Sequence, residues 1–226
     1  MRMANAETAP RPRDRVVTTA LTLGALATLA VCGWLVASTD TGGPPEPTAA
    51  QSRASADPTT VADAIPVVGG STAALPASTP LRLRVPAIDV DTSLTGYGLA
   101  SDGSLQVPPE SAPDHAGWYH GGVTPGADGT ALVAGHVDSS TGPAVFYSLG
   151  ALARGDTIEV DRADGTTAVF TIDGVEVFHR DEFPDELVYG YAGRPELRLL
   201  TCGGQFSRAD GWNANVVVFA YLTDTR

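Results

Sequence analysis

The sequence predicts an all-β domain, a sandwich or a closed barrel, carried behind a membrane anchor and a stalk. Three observations point there. From Leu81 onward, short apolar runs are broken by Gly, Pro, Asp and Asn, and amphipathic helical spacing is nearly absent. Ahead of that lie a stretch rich in Pro, Ala, Ser and Thr and, further up, an uncharged apolar run. Hydrophobic residues make up 43% of the 226, enough for one real core and one domain of ordinary size with a tail.

Taken in order, residues 1–15 read as a cytoplasmic flank, because Arg2, Arg11, Arg13 and Arg15 outnumber Glu7 and Asp14. Residues 16–39, VVTTALTLGALATLAVCGWLVAST, carry no charge, and a hydrocarbon core of about 30 Å needs roughly 20 apolar residues in a helix. This predicts a single transmembrane helix, with the remainder on the extracytoplasmic face of the cell membrane. A cleaved signal peptide is the rival reading, but its apolar region runs to only about 7–15 residues. Residues 40–80 have no aromatic residue and read as a flexible stalk. Residues 81–226 are the folded domain. LRLRV at 81–85 alternates with period two, and TALVAGHV at 130–137 is a continuous apolar strand. DTIEVDR and TTAVFTIDGVEVF flank Ala163-Asp164-Gly165 and predict a hairpin. ELRLLTC at 196–202 and NVVVFAYL at 215–222 are two more strands, and one short helix is predicted around Pro143–Leu152.

Composition excludes several chemistries. The net charge is −12, all fourteen basic residues are Arg, and there is no Lys, which removes Lys Schiff-base and P-loop mechanisms. An acidic chain without basic blocks argues against nucleic acid as a partner. Only Cys32 and Cys202 are present, so the chain is neither a disulfide scaffold nor a multi-cysteine zinc module. No G-x-S-x-G or H-E-x-x-H motif occurs, the four His are scattered, and no calcium-loop spacing is found. Neither a metal nor another cofactor is expected.

Cys32 falls inside the apolar run, which leaves Cys202 as the one thiol outside it. Cys202 ends an apolar strand and is followed by Gly203 and Gly204, whose unshielded N–H groups are candidates to stabilise an oxyanion. Free cysteine is also among the most buried residue types, so a reactive and an inert reading both stand. A thiolate needs a neighbouring imidazole or guanidinium. Of His115, His120, His136 and His179, His136 sits after Gly135 at a strand-to-loop exit, where it can share a rim with Cys202. His115 and His120 lie in a Gly-rich loop, and His179 precedes the acidic HRDEFPDE stretch. Asp138, two residues after His136, is either an orienting carboxylate or a solvated turn residue.

The stretches GWYHGGVTPGADGTALVAGHVD (117–138), AVFYSLGALARGDTIEV (144–160), FPDELVYG (183–190) and LRLLTCGGQF (197–206), closing with NVVVFA, resemble a sortase. The doubled glycine after Cys202 and the GHVD strand end are most similar to class F sortases of high-GC Gram-positive bacteria. The resemblance spans about residues 81–224. It implies a closed eight-stranded barrel with one or two short helices. It also implies a cysteine transpeptidase that cuts an LPXTG-type sorting signal after Thr. On that reading Cys202 forms a thioacyl intermediate, His136 serves as acid and base, and the acceptor amine comes from a cell-wall precursor.

The same resemblance implies an Arg on the last strand about a dozen residues after the cysteine. Here that region reads WNANVVVFA, with Asn213 at the expected place. Arg208, in the stretch before the last strand, is the substitute if that stretch folds back over the sulfur. Asn213, Asn215 and Arg198 are the alternatives. A weakened sortase-like protein, or a tethered β-domain that binds a surface partner without catalysis, is the competing functional reading.

Overall fold

The computed structural model describes residues 42–53, 72–101 and 103–226. Within them the strands are β1 (Pro80–Val85), β2 (Val90–Tyr97), β3 (Ala116–Tyr119), β4 (Thr130–Gly135), β5 (Asp138–Ser139), β6 (Gly142–Pro143), β7 (Thr157–Arg162), β8 (Thr167–His179), β9 (Glu196–Ser207) and β10 (Gly211–Thr225). Eight close a barrel in the order β1-β2-β3-β4-β9-β10-β8-β7, and β5 and β6 form a small separate ribbon. Closure satisfies both edges, since β1 pairs with β2 on one side and β7 on the other. Two neighbouring pairs, β2–β3 and β4–β9, are parallel.

Period-two alternation explains which side chains fill the barrel. Ile158 and Val160 of β7, Leu197 and Leu199 of β9, and Val216 and Val218 of β10 point inward with Leu83 and Phe170. The residues between them face outward. Leu200, Val217 and Phe219 form a second cluster there with Ala134 and Val188, against which Phe178 and Phe183 pack. A short helix, α1 (Asp185–Tyr189), covers part of this outer face with its buried Val188. Asp185 and Glu186 in its first turn suit the positive end of the helix dipole.

An ion pair is buried on the same outer face. Arg198 is 2% exposed and Glu196 4% exposed, with Nη2 to Oε2 at 2.5 Å. The Arg198 guanidinium also lies over the Phe219 ring, 4.5 Å from its centre.

The predicted hairpin is present, turning at Gly165 with φ of 85° between β7 and β8. Three expectations are corrected. The helix expected around 143–152 is only a 3₁₀ turn at Leu149–Ala151. β9 and β10 run well past 196–202 and 215–222, forming a long twisted ribbon that ends at Ser207 and Gly211. The stalk assigned to 40–80 is also narrower than expected, because parts of it dock on the barrel. Gln51 Nε2 donates to Gly150 O (3.0 Å) and Leu152 O (2.6 Å). Arg53 pairs with Asp173 at 3.0 Å and lies over Phe219. Leu75 N–H donates to Gly126 O at 2.8 Å. Polar anchors of this kind leave no hydrophobic pattern to read in sequence. Among the described residues no helix is long and apolar enough to cross a membrane; the anchor expected at 16–39 lies outside the described residues.

Candidate active site

The register of β4 against β9 positions the two chemical groups. Leu200 of β9 faces the outer cluster, so Cys202, two residues on, shares that face and is exposed. β4 runs parallel to β9 with Ala134 opposite Leu200. β4 ends at Gly135, so His136 follows directly on the strand end that runs alongside Leu200 and Thr201, the two residues before Cys202. Between them, Thr201 Oγ1 donates to Gly135 O at 2.9 Å and ties the two strand ends together. The His136 ring is held from the other side, with Nε2 2.7 Å from Pro108 O. A carbonyl only accepts, so Nε2 carries the hydrogen and Nδ1 is the nitrogen left to exchange a proton.

Across the sheet, Asn215 of β10 stands opposite Cys202 and Phe178 of β8 stands opposite Asn215. Asp138 does not orient His136; its Oδ1 instead accepts from Trp212 Nε1 at 3.1 Å. Although accessible, Cys202 lies in a crowded part of the surface, and burial pushes its thiol up. The Arg180 guanidinium acts against that shift and the Asp138 carboxylate adds to it. Burial and Asp138 thus favour the neutral thiol over the thiolate.

The other predicted residues fall elsewhere. Arg208 is not brought to the sulfur. Because β9 continues to Ser207, Arg208 lies at the tip of the β9–β10 hairpin, up to about 20 Å along extended chain from Cys202. It is exposed and has no hydrogen-bonding partner among the described residues. Asn213 is occupied in closing the bulge after the cysteine, where its Oδ1 accepts from Gln205 N–H at 2.8 Å. Gly204, at φ of 77°, has no room for a Cβ beside that same oxygen (2.4 Å). Gly203 is packed against Val216, whose Cγ2 lies 2.6 Å from where a Cβ would stand. Arg198 is committed to Glu196 and Phe219. His115 and His120 are exposed, and His179 ends β8 opposite Ala214.

Two participants escaped sequence reasoning, Arg180 and the Asp138–Trp212 bond. Their proximity to Cys202 follows from the neighbour order β9-β10-β8, which no local signal encodes. Among the described residues no group of His, Cys, Asp or Glu side chains is arranged to hold a metal ion.

The chain thus presents a closed eight-stranded barrel with Cys202 on β9 and His136 just past the end of the parallel neighbour β4. The sequence matches the family described as "Sortase domain" over residues 83–223, and the chain belongs to the sortase family. Membership places it among sortase-type transpeptidases. The fold is similar to that of the SrtA sortase from Actinomyces oris, at 23% identity, with a TM-score of 0.53, over 69% of this chain and 89% of that one. It is also similar to sortase C-1 from Actinomyces oris (20% identity, TM-score 0.50, 63% and 73% covered). Sortase C1 of Streptococcus agalactiae in complex with MTSET matches comparably (20% identity, TM-score 0.50, 64% and 67% covered). No curated protein sequence matches the chain.

Proposed function

We propose that the protein is a membrane-anchored cysteine transpeptidase with Cys202 as nucleophile and His136 as general acid and base. The observation that supports this reading is the parallel β4–β9 pairing, which brings together the ends of the two strands that lead to His136 and carry Cys202 in a sortase-family barrel. The substrate class is an LPXTG-type sorting signal, and the acceptor is the amine of a cell-wall precursor. The Gly203-Gly204 pair after Cys202 supports assignment to class F. Residues 16–39 anchor the chain so that the barrel stands on the extracytoplasmic face.

In this mechanism His136 Nδ1 takes the Cys202 proton as the sulfur attacks the Thr carbonyl carbon. The carbonyl π pair moves to oxygen, giving a tetrahedral oxyanion. Collapse breaks the C–N bond, His136 returns the proton to the leaving amine, and the acyl group remains on sulfur as a thioester. The acceptor amine then attacks that thioester, His136 removes its proton, and the Cys202 thiol is regenerated. The Nε2 contact with Pro108 O leaves Nδ1 as the nitrogen available for this exchange.

The test is incubation of the full-length chain with an LPXTG-type peptide, with and without an added amine, followed by product mass. A Thr-amine conjugate is expected, and Cys202→Ala abolishes it; cleavage by Cys202→Ala at the wild-type rate refutes the reading. Product at the mass of the free acid alone identifies hydrolysis. A second reading, a weakened or purely binding sortase-like domain, is favoured by one observation: the β10 residue opposite Cys202 is the neutral Asn215.

A further inference from the structure

A tetrahedral oxyanion at Cys202 needs a donor, preferably a cation, within hydrogen-bonding reach. Several groups around the thiol are unsuited to it. Asp138 is an anion, Asn215 is neutral, and His136 spends Nε2–H on Pro108 O. Arg198 is buried against Glu196, and Arg208 stands at the hairpin tip.

Arg180 is placed differently. Cys202, Asn215 and Phe178 form one row across β9, β10 and β8, and Arg180 follows two residues after Phe178. There β8 gives way to a 3₁₀ turn at Arg180–Glu182. Arg180 Nη1 donates to Trp212 O at 3.0 Å and weakly to Asp210 O at 3.5 Å. Those bonds hold the guanidinium against the β10 backbone at Trp212, three residues before Asn215. Trp212 is itself fixed from the opposite side by Asp138. Arg180 Nε and Nη2 make no hydrogen bond among the described residues and remain open to a bound group.

We infer that Arg180 is the cationic catalytic residue of this site, donating from its free N–H groups to the carbonyl oxygen that becomes the oxyanion on Cys202. The inference rests on Cys202 being the nucleophile. A planar multi-donor cation suits that oxygen, because it holds the carbonyl in the ground state and strengthens its grip as negative charge develops. The electrostatics agree with the placement: the Arg180 charge favours the Cys202 thiolate, against burial and Asp138. In this chain the cation thus comes from the end of β8, and the last strand carries Asn213 where the resemblance implies an arginine.

The test uses the full-length chain in detergent micelles with an LPXTG-type peptide, comparing Arg180→Gln, Arg180→Lys, Arg208→Ala and Cys202→Ala. Arg180→Gln keeps a donor for Trp212 O and removes the charge, so kcat/KM falls by about 10²-fold or more. Iodoacetamide still alkylates Cys202 in that variant, and the inflection of its rate against pH moves upward. The groups facing the thiol in that titration are His136, Asp138 and Arg180. Arg180→Lys restores the inflection but not the rate, since one point charge replaces the planar fork. Arg208→Ala stays within about twofold of wild type.

A wild-type kcat/KM in Arg180→Gln, with Cys202→Ala inactive, overturns the role of Arg180 and leaves the nucleophile intact. A rate loss with no movement of the alkylation inflection also overturns it, because Arg180 then acts only on loop structure. Activity persisting in Cys202→Ala removes the underlying reading itself.

Discussion

Replacing Glu196 by Gln isolates the charge that keeps Arg198 buried. Arg198 is 2% exposed, its carboxylate partner is Glu196, and its Nε has no hydrogen-bonding partner. The substitution is nearly isosteric, so the loss is electrostatic: an uncompensated guanidinium left under the outer face. Breaking one partner of such a pair costs about 3–5 kcal/mol. At about 2–4 °C per kcal/mol for a domain of this size, the midpoint falls by roughly 6–20 °C. Replacing both residues, Glu196→Gln with Arg198→Met, removes the orphaned charge and keeps an unbranched side chain over Phe219. That double variant returns close to the wild-type midpoint or above it. Thermal unfolding of the full chain, followed by near-UV circular dichroism, measures both. A neutral single variant, or a double variant less stable than the single, refutes the reasoning. The pair also sets an acid limb. Burial opposes the Glu196 charge, but Arg198 and Arg194 outweigh it and hold the carboxyl below the ordinary glutamate value. The resulting stability is present above about pH 4.3, the unfolded value, and is lost as pH falls through the lower folded value.

Three further outcomes follow from the geometry. The iodoacetamide rate at Cys202 rises with pH and inflects above the ordinary thiol range, since burial raises the thiol; an inflection below that range contradicts the assigned surroundings. His136→Gln lowers kcat/KM for peptide transfer by about 10²–10⁴-fold while Cys202 still alkylates, and an unchanged rate excludes the imidazole from proton transfer. Gly150→Ala drives a Cβ to within 1.9 Å of Pro45 O and displaces the docked 44–53 segment. Trypsin then cuts after Arg53 faster than in wild type, and equal cutting rates refute the docking.

Much of the barrel was legible because its strands obey period two and its tightest turn carries a glycine at positive φ. Cys202 and His136 stand out in the sequence for a local reason: each ends an apolar run next to a glycine. What escaped depended on pairing between distant segments. GGQFS at 203–207 has no apolar alternation, so nothing in it announces that β9 continues. That continuation is what separates Arg208 from the sulfur. Arg180 sits in an acidic, surface-like stretch, and only the strand order β9-β10-β8 lets its charge act on Cys202. The residues at 44–53 dock through Gln51, Ser52 and Arg53 onto backbone carbonyls and carboxylates, whereas Pro and Ala content alone reads as an unpacked linker.

The parallel pairing of β4 and β9 has a consequence for how the site comes into being. A parallel pair has no tight turn to template it and needs a long crossover. Here the whole β7–β8 hairpin and α1 intervene between β4 and β9. Loop-closure entropy must be overcome before that contact contributes anything, so pairings of this kind form slowly and late. The hairpins β7–β8 and β9–β10 can assemble from neighbouring residues, but neither contains both reactive groups. In a partly folded chain the strand that carries Cys202 is therefore apart from the strand end that carries His136, and the two come together only with barrel closure.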